Sequence, residues 1–173
     1  QENLKSWQNL VSYVPQNTFL IEESIKNNIT FGQKVEEEDL KKIEESINRS
    51  GLSDYVNSLP HKSNTNVGEK GLLMSGGQKQ RIGIARAFYH DSKFIIFDEA
   101  TNAQDNITES EIMKSIFNNQ EDLTVILIAH RLSTVKNCHN VKVIDKGKFI
   151  DEGTYDELLS RNEIFKKMVD VSN

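Results

Sequence analysis

Three apolar runs in this sequence each end on a group able to handle phosphate, a metal ion or a proton. "SYVPQ" ends on the amide of Gln16, "FIIFDEA" carries the carboxylates of Asp98 and Glu99, and "TVILIAH" ends on the imidazole of His130. Open α/β sheets place their ligands at the carboxyl ends of the strands. An aspartate there suits Mg2+, which takes oxygen ligands and keeps several waters. A neighbouring glutamate in a poorly solvated pocket serves as general base toward an attacking water. Taken alone, an Asp-Glu pair is more often two solvated loop carboxylates, and a lone histidine is more often structural. Their matching placement groups them with Gln16 into one convergent site.

A fourth stretch, "LLMSGGQKQRIGIARAF", puts Ser75, Gly76, Gly77 and Gln78 at the start of a helical pattern. Ser75 and Gln78 fit the S-x-x-Q capping box, in which each side chain bonds the other residue's backbone N–H. The glycines are not explained by capping, since each costs up to about 1 kcal/mol against alanine in a helix. Two uses are open for them. One is backbone freedom, if the first turn needs positive φ. The other is close approach of an anion to the first helical N–H groups, favoured by the positive end of the helix dipole. Lys79 and Arg81 add positive charge nearby.

Elements must exist to hold these groups. Segments 10–16, 93–99 and 124–130 read as buried strands, and the second and third are continuous apolar runs of the kind found in parallel sheets covered on both faces. Segment 140–153 breaks at Lys146-Gly147 and reads as an antiparallel hairpin. Leu40, Ile43 and Ile47 recur at helical spacing in 35–51, with Gly51 as a stop, and Ile112, Met113, Ile116 and Phe117 line one face of 106–119. Thr154 and Glu157 form a second capping box ahead of "LLSRNEIFKKMV". Strands alternating with helices give an α/β fold, with a largely helical stretch between the first two strands.

Whole-chain properties narrow the class. With 173 residues, 36% hydrophobic and 27% charged, the chain is long enough for one domain with a real core and is not of disordered composition. A net charge of −5 argues against a generally nucleic-acid-binding surface. No apolar run approaches the roughly 18 residues that cross a bilayer. The single cysteine, Cys138, excludes an intrachain disulfide and reads as an ordinary half-buried residue of a reducing compartment.

The stretches together resemble the nucleotide-binding domain of ATP-binding cassette (ABC) proteins. "MSGGQKQR" is similar to the family signature, "FIIFDEA" to the Walker B strand, "VPQ" to the Q-loop, "TNAQD" to the D-loop and "IAHRLST" to the histidine switch. The likeness runs over essentially the whole chain. It implies a partial P-loop NTPase-like, mostly parallel sheet with an inserted helical subdomain at about 20–90, and the carboxyl-terminal part of the catalytic α/β core at 91–173. ATP and Mg2+ are the implied cofactors. Asp98 would hold Mg2+ through water, Glu99 would activate the hydrolytic water, and His130 would contact the γ-phosphate. Gln16 would sense Mg2+ and link the site to a transmembrane partner. Ser75, Gly76, Gly77 and Gln78 would bind the γ-phosphate of ATP held by a second nucleotide-binding domain, with Asp105 at the dimer seam. "NVGEKG" (66–71) and "SYVPQNTFLIEESIKNNITFG" resemble ABC exporters, whose motor domains lie at the cytoplasmic face of the cell membrane. A further likeness across "AHRLSTVKNCHNVKVIDKGKFIDEGTYDELL" is to bacterial exporters of lipid-linked oligosaccharides or polysaccharides.

Departures from the family pattern qualify the resemblance. The phosphate-cradling loop G-x-x-x-x-G-K-[ST] is absent from the sequence. In the family it precedes the Q-loop, as does the aromatic residue that stacks on adenine, so both are expected before Gln1 and the chain is expected to be a fragment, inactive in isolation. Met74 stands where leucine is usual, and Gln104 takes an apolar slot of the D-loop. Two other readings compete with an exporter motor. One is a soluble ABC ATPase acting on nucleic acid or ribosomes, disfavoured by the acidic balance and the absence of basic arms. The other is a truncated, non-catalytic module that pairs with a complete domain.

Overall fold

The three apolar runs form parallel strands β1 (Val11–Val14), β2 (Phe94–Asp98) and β3 (Thr124–Ile128), hydrogen-bonded in the order β1-β2-β3. The computed structural model describes residues 2–31, 33, 35–98, 114, 116, 123–129 and 132–172. It divides into two units, Gln1–Ile128 and Ala129–Asn173. In the first, Val14 is in register with Phe97 and Asp98 with Ile128, so the strand ends share one edge. One face of the sheet is buried: Val14, Ile95 and Phe97 pack with Ile84, Phe88 and Ile116. The other face departs from expectation. Parallel sheets are ordinarily covered on both sides, yet Tyr13, Phe94, Ile126 and Ile128 are 38–56% exposed. These residues alternate with buried or half-buried ones along each strand, so exposure follows the side-chain period of two.

Between β1 and β2 run α2 (Ile25–Thr30), α3 (Asp39–Arg49), α4 (Ser53–Ser58) and α5 (Gly76–Tyr89), with α1 (Glu2–Gln8) ahead of β1. In α3 the buried face is Ile43, Ser46 and Ile47, and Ser46 satisfies its hydroxyl on the Lys42 carbonyl at 2.7 Å. Leu40, expected on that face, is 50% exposed because it lies at the stripe's margin in the first turn. Gly51 takes φ +70° just past the helix end, as a stop residue should. Of the helical pattern at 106–119, only Lys114 and Ile116 are among the described residues; both are helical and Ile116 is wholly buried.

Helix α5 is buried on two sides. Ile82 and Ala85 join Leu20, Ile29 and Ile43 in the helical cluster, while Ile84, Ala87 and Phe88 join the sheet cluster. Residues 82 and 84 stand about 200° apart on a helical wheel, and each isoleucine contributes roughly 2–3 kcal/mol by leaving water. Gly83 lets this helix pack closely on the end of β1 and the segment after it: a Cβ there would sit 2.8 Å from Thr18 Oγ1 and 3.3 Å from Val14 Cγ1. One element therefore ties the helical layer to the sheet.

The second unit holds α6 (Leu132–Val135), the antiparallel hairpin β4 (Val141–Asp145) and β5 (Lys148–Gly153), and helices α7 (Tyr155–Arg161) and α8 (Glu163–Ser172). Lys146 and Gly147, at φ +47° and +73°, make the hairpin turn the sequence announces. Val143, Leu158, Phe165 and Val169 form its core. The carboxyl-terminal helical pattern is broken at Asn162, whose extended backbone (φ −103°, ψ 108°) separates α7 from α8. Its Oδ1 accepts the Phe165 N–H, so this asparagine caps the second helix. Cys138 is a half-buried free thiol whose pKa is raised by that burial.

Candidate functional site

Parallel pairing brings the ends of β1, β2 and β3 to one edge. Asp98 is the last residue of β2, and Gln16 lies two residues past the end of β1. Asp98 is half-buried and Gln16 is exposed. Glu99, His130 and Asp105 lie outside the described residues.

Tyr13 reaches the edge as well, and nothing in the sequence reading singles it out. Its backbone is opposite Ile96, which puts it on the same face as Asp98, one diagonal step along β2. A long side chain leaning along the strand spans that diagonal, and Tyr13 Oη donates to Asp98 Oδ2 at 2.5 Å. The hydroxyl's pKa is raised, first by this hydrogen bond, then by burial and the carboxylate's charge, so the phenol stays protonated as donor. The donor chemistry suits a hard cation: an oxygen-only carboxylate is what Mg2+ takes. Among the described residues no group of three or more His, Cys, Asp or Glu gathers as a cage.

At the start of α5 both halves of the capping box form. Gln78 N donates to Ser75 Oγ at 3.2 Å, and Ser75 N donates to Gln78 Oε1 at 2.9 Å. Gly76 and Gly77 are helical, outside the set of positive-φ residues. Backbone freedom is therefore not what they supply. The positive-φ residues nearby are Gly68, Lys70 and Gly71, in the turn just upstream. Lys79 Nζ donates to the Lys70 carbonyl at 3.2 Å, and Arg81 Nη1 to the Gly51 carbonyl at 2.5 Å. Both cations thus brace the helix start while keeping charge beside it, and Arg81 complements the negative end of α3.

The two groups of residues are held on one scaffold but apart. Ser75 precedes Gly83 by eight residues, so roughly 12 Å of helix at 1.5 Å per residue separates the capping box from the contact with the sheet. Behind them a buried polar junction joins α2 to α5. Asn28 is wholly buried; its Oδ1 accepts Ile21 N–H and its Nδ2 donates to the Ile21 carbonyl, both at 3.0 Å. Arg86 Nε donates to the Asn28 carbonyl at 2.6 Å, with its guanidinium 4.4 Å from the centre of the Phe31 ring. Desolvation lowers the Arg86 pKa to about 10. Residues 17–24, directly after Gln16, are thereby fastened to the helix that carries the glycine pair.

Comparison with known proteins gives these features a family. The ABC transporter family profile matches residues 1–102. An ATP-dependent lipid A-core flippase of Cupriavidus pinatubonensis is 36% identical over 163 residues, covering 94% of this chain and 28% of the flippase. The leptomycin B resistance protein pmd1 of Schizosaccharomyces pombe is 38% identical over 175 residues, covering 97% of this chain and 13% of that protein. Among solved structures, a bacterial Atm1-family ABC exporter with ATP bound matches with a TM-score of 0.86 and 32% identity, over 96% of this chain and 29% of the exporter chain. The chain thus spans between about an eighth and three-tenths of the length of these relatives.

Proposed function

This chain belongs to the ABC transporter family, and from that premise we propose that it is part of the ATP-binding and ATP-hydrolysing motor of an exporter. The observation that carries the reading is a pair of half-sites, on one scaffold, that a single copy does not bring together. One is the strand edge with Gln16, Tyr13 and Asp98; the other is the start of α5 with Ser75, Gly76, Gly77 and Gln78. Two copies, or this chain and a second nucleotide-binding domain, close a site between them when one supplies the edge and the other the helix start. Leu72 and Leu73, 77% and 72% exposed directly before Met74 and Ser75, offer apolar surface for that contact.

Each residue then has a task. Asp98 and Gln16 would hold Mg2+, and the ion bound there would supply positive charge against the phosphates. Glu99 accepts the proton of the attacking water, and His130 bonds the γ-phosphate. The partner's helix start closes on that phosphate with free N–H groups, and glycine lets the backbone approach. Asp105 sits at the seam. Residues 17–24, tied through Asn28 and Arg86 to α5, carry movement between Gln16 and the helical subdomain (about 20–90). That subdomain faces a transmembrane partner at the cytoplasmic side of the cell membrane, and 91–173 belongs to the catalytic core.

The test is turnover of the natural gene product containing these residues. Glu99→Gln is expected to lower its ATP hydrolysis by about 100-fold or more while ATP binding persists. Hydrolysis at the parent rate in Glu99→Gln overturns the assignment. The 173-residue polypeptide itself, whose sequence has no phosphate-cradling loop, is expected to show no turnover.

A further inference from the structure

The Tyr13–Asp98 hydrogen bond joins two neighbouring strands at the candidate site. Tyr13 stands on the sheet face that the described residues leave uncovered and is 56% exposed. Its hydroxyl nonetheless spans from one strand to the next, across 85 residues of sequence, to a single carboxylate oxygen at 2.5 Å. A hydrogen bond to an ionised carboxylate is roughly twice as strong as a neutral one.

We propose that Tyr13 is a positioning residue for the Mg2+-binding carboxylate: its hydroxyl fixes Oδ2 of Asp98 against β1 and so sets the direction in which the carboxylate meets the cation. The proposal rests on Asp98 being the Mg2+ residue of the motor described above. It goes beyond that reading by making the strand that leads to Gln16 responsible for the orientation of Asp98. Gln16 lies only three residues beyond Tyr13, so one strand governs both groups at the edge. Partners that orient a metal ligand typically matter 10- to 100-fold in metal affinity.

The experiment uses the natural gene product with a non-hydrolysable ATP analogue and Mn2+ as the probe cation. Free Mn2+ is read by electron paramagnetic resonance in the parent, Tyr13→Phe, Tyr13→Leu and Asp98→Asn. Tyr13→Phe keeps the ring and loses the hydroxyl, and is expected to raise the Mn2+ dissociation constant about tenfold. Analogue affinity without metal should stay unchanged, and the Mg2+ concentration for half-maximal turnover should rise in step. Tyr13→Leu should match Tyr13→Phe, because the hydroxyl and not the ring is the working part. Parent-like Mn2+ affinity in Tyr13→Phe, with binding lost in Asp98→Asn, overturns the positioning role and leaves the motor reading intact. Parent-like affinity in Asp98→Asn as well overturns the assignment of Asp98, and the positioning role with it.

Discussion

At Gly76 the demands of the helix and of the proposed ligand run in opposite directions. The residue is exposed and helical, with no positive φ to forbid a side chain. Alanine there reduces the freedom of the unfolded chain and favours the helix, so Gly76→Ala is expected to raise stability by up to about 1 kcal/mol, less in a first turn. Urea titration of the polypeptide measures this. The same methyl group would stand in the path of the proposed γ-phosphate at the helix start, so turnover of the natural gene product should fall sharply. A variant both more stable and fully active would remove the phosphate from this helix. The capping pair Ser75 and Gln78 was legible in the sequence because its partners are three residues apart and the geometry is local. Tyr13 was not, since its role depends on the register of β1 against β2, which no single segment encodes. Lys79 and Arg81 were legible as charges but not as braces, because the carbonyls they bond belong to turns fixed only by the folded chain.

Elements were read best where a turn or cap signal coincides with periodicity. The hairpin break at Lys146-Gly147 is such a place. The division of α7 from α8 is not, for Leu158, Phe165 and Val169 keep apolar spacing across Asn162. What divides the helices is a tertiary bond: Asn162 Nδ2 donates to Asp151 Oδ2 at 3.0 Å, while Oδ1 caps α8. Helix α5 also escapes a one-stripe reading, because it is buried on two sides. Asp151 makes the hairpin–helix junction sensitive to pH. Its carboxyl pKa is held below the ordinary value by hydrogen bonds from Asn162, then from Arg161, and from the Glu152 N–H. A depressed folded-state pKa adds stability that is complete above the ordinary aspartate value and lost as pH falls through the folded one. Asp151→Asn should therefore lower the resistance of 141–161 to hydrogen exchange near neutral pH. The gap to the parent should close as pH drops below the ordinary aspartate range. A gap that persists unchanged in acid would show that the charge contributes nothing.

For the chain as a whole, the sequence carried the fold class, because a parallel sheet needs only its strands and crossovers in sequence to bring three strand ends to one edge. What covers the sheet was not legible. Continuous apolar runs predict burial on two faces, and a run cannot say which element supplies the second cover. In the first unit that face carries Tyr13, Phe94, Ile126 and Ile128 at 38–56% exposure, and among the described residues neither β1 nor β3 has a strand on its outer side. Apolar area joined to unpaired strand edges is the combination that draws chains together. The 173-residue polypeptide is accordingly expected to self-associate, its mean mass in static light scattering rising with concentration. Ile126 lies in the middle of the exposed face, on β3, in register with Ile96 and away from Asp98 at the strand end. Ile126→Lys places a charge there without disturbing the half-buried neighbours Val125 and Leu127, and should shift the rise to higher concentration. A monomeric mass at every concentration in the unsubstituted polypeptide would mean that the uncovered sheet face drives no association.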